Sequence, residues 1–329
     1  MRKNGRLLLL TLVKAAITVS LIVFICSKID FSVLARHLRG SSAIYFCFGT
    51  LLLIANIPLV AARWWLILRR LDVTGMPFAY TFVATYAGLF VGQLAPGAVG
   101  FDAARGWLAY RRGAKLRVII ASLVTDRVLA ILALVVVAGS AWLWQFNAAD
   151  QSFGRQIAIL GSIVVVMVAL ALWLIPVLIG NLAAPWPRLR SLRELAVTFR
   201  FAALSRAGII GLALSCGVIL LTVNAVIVFA HGFEVSIVPA AAYLVVPVAV
   251  LAAAVPISIA GWGVREASLS YGLMLFATPS ADAALLGLTL GIGLVVSALP
   301  GGIITLLLGW RLRPEPDDAE AGLFPLQPT

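Results

Sequence analysis

The sequence predicts an all-α fold, a polytopic integral membrane bundle of helices. Three observations predict it. Apolar residues make up 62% of the 329-residue chain and charged residues 12%, whereas soluble domains average about 45–50% and about 25%. The apolar residues fall in runs of roughly 20, the length a helix needs to cross a bilayer. The basic residues gather between those runs, as they do on the cytoplasmic side of membrane proteins. A mean hydropathy of +1.07 agrees.

In order, apolar windows fall near 7–27, 42–62, 79–95, 117–142, 156–179, 207–230, 237–257, 267–279 and 283–310, about seven to nine hydrophobic segments in all. The first mimics a signal peptide. Lys14 interrupts it, Ile25 precedes Cys26, and no small-residue cleavage site follows, so it reads as a retained helix. Lys14 snorkels to the interface in this reading. Arg2, Lys3 and Arg6 before it place the N-terminus in the cytoplasm. The loop after the second window carries Arg63, Arg69 and Arg70, and the loop 97–117 carries Arg105, Arg111, Arg112, Lys115 and Arg117. The loop 181–206 carries Arg188, Arg190, Arg193, Arg200 and Arg206.

If 79–95 crossed completely, two of these basic loops would lie outside. If 79–99 enters the bilayer and returns on the same side, every heavily basic loop is cytoplasmic. The exception is 28–41, with Lys28, Arg36 and Arg39. A re-entrant segment is therefore expected at 79–99. Such a broken backbone must be buried in protein or line a wet cavity. The window 237–257 then brings the chain back to the cytoplasm at Arg265, and 267–279 with 283–310 goes out and returns, or one of the two is partial. The domain is 1–313. Within it, Leu189, Leu192, Leu195, Ala196, Phe199 and Ala203 keep helical spacing opposite Arg193 and Arg200, an amphipathic surface helix over 188–206. The Pro- and acid-rich tail 314–329 reads as disordered.

A net charge of +12 fits this topology and anionic lipid better than nucleic acid, for which no soluble basic module remains. Cys26, Cys47 and Cys216 lack CxxC spacing, and His37 and His231 are far apart, so no metal site or cofactor is expected. No phosphate-binding loop for ATP is present.

Two apolar segments break at charges. "GQLAPGAVGFDAARGWL" turns on Pro96 and Gly97 and then places Asp102 and Arg105, and "AVPISIAGWGVREASL" carries Pro256, Gly261, Gly263, Arg265 and Glu266. Paired interrupted segments in two halves are the usual pointer to a transporter site built from inverted repeats. A further pair, Asp126-Arg127, lies within an apolar helix, where ionisable residues are rare and often functional. The bland alternatives are connecting turns with interfacial charges and a mutually neutralising structural pair. Asn56, Asn224, Ser215 and Thr222 read as hydrogen-bond partners between helices. Guanidinium groups bind phosphate through paired hydrogen bonds, so Arg105, Arg127 and Arg265 beside broken helices suit a lipid phosphate headgroup.

These motifs, together with "ASLVTDRVLAILALVVV" between them, resemble in type and order those of the lysylphosphatidylglycerol synthase transmembrane family, also called flippase-like. The resemblance covers roughly 7–310. It implies a bacterial inner-membrane protein whose domain flips a lipid, here without the aminoacyl-transferase domain that larger members carry. By position it implies a first break at Pro96, Gly97, Gly100, Asp102 and Arg105, a buried pair Asp126 and Arg127, and a second break at Pro256, Ser258, Gly261, Gly263, Arg265 and Glu266. Members often have Gly-Gly before the aspartate; this chain has Gly100-Phe101-Asp102, and Phe limits close backbone approach.

The function expected is therefore a lipid flippase or transporter that is not itself an enzyme. Arg105, Arg127 and Arg265 would meet an anionic phospholipid, or a polyprenyl or hopanoid lipid, and Asp102, Asp126 and Glu266 would hold those arginines between lipids. Two rivals stand beside it. One is a non-catalytic membrane partner of a separately encoded lipid- or polyprenyl-glycan-modifying enzyme, docking on 188–206. The other is a headgroup transferase using Glu266 or Asp102 as base.

Overall fold

The computed structural model describes residues 41–93, 99–146, 198, 201, 204–255, 258 and 260–308. Among the described residues the chain is helical throughout, with α1 (Ser41–Arg70), α2 (Phe78–Gly92), α3 (Val99–Arg111), α4 (Leu116–Phe146), α5 (Arg206–Gly232), α6 (Pro239–Ala254), α7 (Val264–Met274) and α8 (Ser280–Leu308). The windows 7–27 and 156–179, most of the surface segment 188–206 and the tail 314–329 lie outside the described residues.

α1, α4, α5 and α8 are long and apolar enough to cross a membrane. Their large exposed side chains, such as Ile44, Phe48, Leu51, Ile209, Ile210 and Ile303, are apolar, as an acyl-chain environment requires. Pro58 lies inside α1 and Pro300 inside α8; helices packed in a membrane tolerate such breaks. α2, α3, α6 and α7 are short. At 1.5 Å per residue, the 15 residues of α2 reach about 22 Å and the 11 of α7 about 16 Å, against a hydrocarbon core of about 30 Å.

The short helices form two hairpins. The Tyr80 hydroxyl near the start of α2 donates to the Leu108 carbonyl near the end of α3, at 3.0 Å. At the other end, Gly88 and Gly92 pack on Phe101 at the start of α3. α2 and α3 are thus antiparallel, and the segment expected at 79–99 takes in α2, the first arm of this hairpin. α6 and α7 repeat it. Gly261 packs on Ala253 at the end of α6, and Gly272, near the end of α7, packs on Val245. The expectation that 237–257 carries the chain across is corrected. α6 has 16 residues, about 24 Å of helix, and α7 turns back beside it. Within 267–279, the 11 residues of α7 reach about 16 Å, well short of the hydrocarbon core.

α1 and α5 run antiparallel down the centre. Gly49 meets Phe229, Asn56 Nδ2 donates to Thr222 Oγ1 at 3.0 Å, and Arg63 meets Ser215. Asn224 reaches α6 instead, donating to the Tyr243 hydroxyl at 3.0 Å. The first hairpin opens at the C-terminal end of α1 and the second at the C-terminal end of α5, so the two enter from opposite faces. α2 packs on α8 as α6 packs on α4. The order long helix, hairpin, long helix thus occurs twice with inverted sense, the repeat expected from the paired breaks.

One end of the bundle carries Arg69 and Arg70 of α1, Arg111 of α3, and Arg112, Lys115 and Arg117 around the α3–α4 turn. At the other end, the described residues near the start of α1, the end of α5 and the α7–α8 turn include His231, Glu234 and Asp282 but no Lys or Arg.

Candidate functional site

The first hairpin tip brings three arginines and two aspartates into one network between α1, α3 and α4. Arg63 donates from Nε and Nη2 to the two oxygens of Asp126, the second at 3.0 Å, and from Nη1 to Ser215 Oγ of α5 at 2.9 Å. Arg105 Nη2 donates to Asp126 Oδ2 at 2.6 Å and to Asp102 Oδ1 at 2.6 Å, with Nε adding a 3.1 Å bond to Asp102. Arg127 Nε donates to Asp102 Oδ2 at 2.6 Å. Charge-assisted bonds of this length are the strong class.

Burial is uneven. Arg105 is 0% exposed, Asp126 1% and Arg63 5%, while the side chains of Asp102 and Arg127 are 22% and 34% exposed. Desolvated charges persist only when paired, and Asp126 meets that condition with two arginines. Arg105 Nη1 is buried and has no hydrogen-bond partner.

Local structure explains the placement. Asp102 lies in the first turn of α3, where the positive end of the helix favours an acid. Arg105 is one turn on, on the same face. Aromatic rings hold it, since its guanidinium carbon lies 5.0 Å from the Trp64 ring centroid and 4.3 Å from that of Phe101. Trp64 is fixed in turn by an Nε1 bond to Ser122 Oγ at 3.2 Å.

One expectation is corrected here, and the alternative of a mutually neutralising Asp126–Arg127 pair does not hold. Adjacent helix positions diverge by about 100°, so Asp126 faces Arg63 and Arg105 while Arg127 reaches Asp102. Arg63 does not lie in a loop. α1 runs on to Arg70, and Arg63 sits inside it, a member of the site that the sequence reading missed. The available signal was the apolar residues Trp64, Trp65, Leu66, Ile67 and Leu68 beyond it, which keep the helix going. Ser215, expected as a hydrogen-bond partner between helices, is one: it accepts from Arg63 of α1 across to α5.

The second hairpin tip holds a separate cluster. Ala260, Gly261 and Gly263 have positive φ of 51°, 74° and 81°, a left-handed turn that glycine makes at least cost. At Gly261 a Cβ would also lie 2.9 Å from the Ala253 carbonyl oxygen. Glu266, in the first turn of α7, reaches back to accept from the Gly263 N–H at 2.6 Å, one half of a capping box. Its other oxygen accepts from Arg265 Nη2 at 2.6 Å and Nε at 3.1 Å. The Arg265 guanidinium lies 5.3 Å from the Trp262 ring centroid. α8 makes room with glycine: a Cβ at Gly291 would lie 2.7 Å from Glu266 Oε1 and 2.8 Å from Arg265 Nη2. The Ser258 hydroxyl is buried without a hydrogen-bond partner.

Among the described residues no hydrogen bond or ion pair joins Arg265 or Glu266 to the first network. Among the described residues Arg105 and Arg127 share one network, and Arg265 pairs with Glu266 at the other hairpin. Gly100 is buried in the first turn of α3. Pro96, Gly97 and Pro256 lie outside the described residues. Among the described residues no group of three or more His, Cys, Asp or Glu side chains could hold a metal ion.

A family model described as the lysylphosphatidylglycerol synthase TM region matches residues 11–301. No curated protein and no solved structure matches the chain.

Proposed function

Since the chain belongs to the lysylphosphatidylglycerol synthase TM region family, we propose that it translocates a membrane lipid with an anionic headgroup, and that the headgroup phosphate is received at the Arg63–Asp126–Arg105–Asp102–Arg127 network. The family supports a lipid-related, flippase-like role. The observation that carries the headgroup assignment is the buried, unpartnered Nη1 of Arg105, beside the partly exposed Asp102 and Arg127. A phosphate oxygen supplies the missing acceptor.

The geometry suggests the order of events. Asp126 is fully buried between two arginines and stays. Asp102 is partly exposed and shares Arg105 with Asp126. An arriving phosphate accepts from Arg105 Nη1 and competes with Asp102 for the exposed side of the pair, while Arg127 keeps Asp102 compensated. When the lipid leaves, Asp102 closes on Arg105 again. The acids thus keep the arginines neutralised between lipids, which limits the cost of holding them in the membrane. The second tip, closed by the Arg265–Glu266 pair, serves the same path from the other half of the inverted repeat. The basic end of the bundle faces the cytoplasm of a bacterial inner membrane in this reading.

Binding of short-chain phosphatidylglycerol and phosphatidylcholine to the detergent-solubilised protein tests the assignment. The anionic lipid is expected to bind more tightly, and Arg105→Lys to weaken it by on the order of tenfold, because an ammonium lacks the planar fork. Equal affinity for both lipids, unchanged by Arg105→Lys, would contradict it.

A further inference from the structure

Phe101 stands where a small residue would leave space beside the arginines. Its ring centroid is 4.3 Å from the Arg105 guanidinium carbon and 5.4 Å from that of Arg127. The residue is 9% exposed, so the ring fills volume inside the site. It is wedged against two glycines of α2. A Cβ at Gly88 would lie 2.9 Å from the Phe101 carbonyl oxygen and 3.0 Å from its ring, and one at Gly92 would lie 3.2 Å from its Cβ. Spaced four residues apart, Gly88 and Gly92 share a face of α2 and form a slot that seats α3 closely. The ring has little freedom to move aside, because its own backbone is pinned in that slot.

Resting on the phosphate-site reading above, we infer that Phe101 is a specificity-determining residue, a fixed wall that limits the headgroup to a compact phosphate ester. The ring packs against Arg105 and Arg127, and Trp64 packs against Arg105 as well. Arg105 Nε and Nη2 are taken by the two aspartates. The polar group left to a ligand on Arg105 is Nη1, enough for one phosphate. A headgroup with a second phosphate, or with a sugar ring on the phosphate, needs the space that the Phe101 ring holds. The ring also helps keep water from the buried Arg105 guanidinium, which strengthens its hold on the phosphate that does fit.

The test compares lipid translocation in proteoliposomes for fluorescent phosphatidic acid, phosphatidylinositol and cardiolipin, using the full chain and the variants Phe101→Leu, Phe101→Ala and Phe101→Gly. The wild type is expected to move phosphatidic acid fastest. The rate ratio of phosphatidylinositol or cardiolipin to phosphatidic acid is expected to rise on the order of tenfold from Phe to Ala or Gly, with Leu between. Gly88→Ala, which pushes on the ring from behind, is expected to shift the ratio without touching any charged group. If the smallest variants fail to fold, Phe101→Leu and Gly88→Ala still decide the question. A ratio unchanged across every folded variant, with phosphatidic acid still moved, would overturn the role of Phe101 and leave the phosphate site standing. A wild type that moves none of these lipids would overturn both.

Discussion

Arg63 and Asp126, 63 positions apart in the sequence, meet through two N–H donors on two carboxylate oxygens inside the bundle. The pair ties α1 to α4, and Arg105 joins it from α3. Removing the carboxylate takes its acid partner from buried Arg63 and leaves Arg105 with Asp102 alone. Asp126→Asn is therefore expected to cost about 3–5 kcal/mol. Asp102→Asn, at a partly exposed acid, is expected to cost less, on the order of 1 kcal/mol. Thermal unfolding of the two variants in the same detergent checks the order. Equal losses would mean that Asp126 is not the anchor of the network.

The hairpins make a topological prediction. Gly75 and Gly113 flank the first hairpin, and Glu234 and Pro279 flank the second. With Cys26, Cys47 and Cys216 replaced, single cysteines at Gly75 and Gly113 are expected to react with an impermeant thiol reagent from one side of the membrane. Cysteines at Glu234 and Pro279 are expected to react from the other. Labelling of Gly75 and Gly113 from opposite sides would mean that α2 and α3 cross the bilayer.

Much of this architecture was legible because the bilayer imposes lengths and charges. Apolar runs near 20 residues located α1, α4, α5 and α8, and the charge pattern pointed to a broken segment at 79–99, where α2 ends and α3 packs back beside it. The positions that were misread have a common physical cause. Arg63 was assigned to a loop because charge usually ends a membrane span, but here a buried aspartate on another helix compensates it, and no one-dimensional pattern records that partner. Asp126 and Arg127 were paired because they are adjacent, although helix geometry separates their faces. The segment 237–257 was long and apolar enough to count as a span, and only the left-handed turn at Gly261 and Gly263 shows that the chain folds back.

The glycine face of α8 carries a third prediction. Gly287 packs on the backbone of Glu266, and Gly291 on the Arg265–Glu266 pair. Gly291→Ala places a methyl group against both charged groups and is expected to destabilise the protein by about 1–3 kcal/mol through overpacking. It is expected to slow lipid translocation while leaving headgroup binding at the first tip within about twofold, since distant sites act nearly independently. Binding and translocation measured on the same preparation separate the two effects. Parallel losses in both would show that the tips form one site.

Mobility of the network decides a fourth. If Asp102 yields to the arriving phosphate, Asp102→Asn keeps the shape but weakens the competitor for Arg105. Headgroup affinity is expected to rise by roughly threefold to tenfold, about 0.6–1.4 kcal/mol, and release is expected to slow. Stopped-flow binding and dissociation of short-chain phosphatidylglycerol read both. A lower affinity in Asp102→Asn would mean that the acid organises the site rather than guarding it.

The most direct test of the central claim is lipid translocation by the purified protein in proteoliposomes, with fluorescent phosphatidylglycerol and phosphatidylcholine compared in the wild type, Arg105→Lys and Arg265→Lys. The account predicts that the wild type moves phosphatidylglycerol faster than phosphatidylcholine and that both substitutions, in folded protein, reduce that movement on the order of tenfold or more. Movement of both lipids at equal rates, unaffected by either substitution, would contradict it.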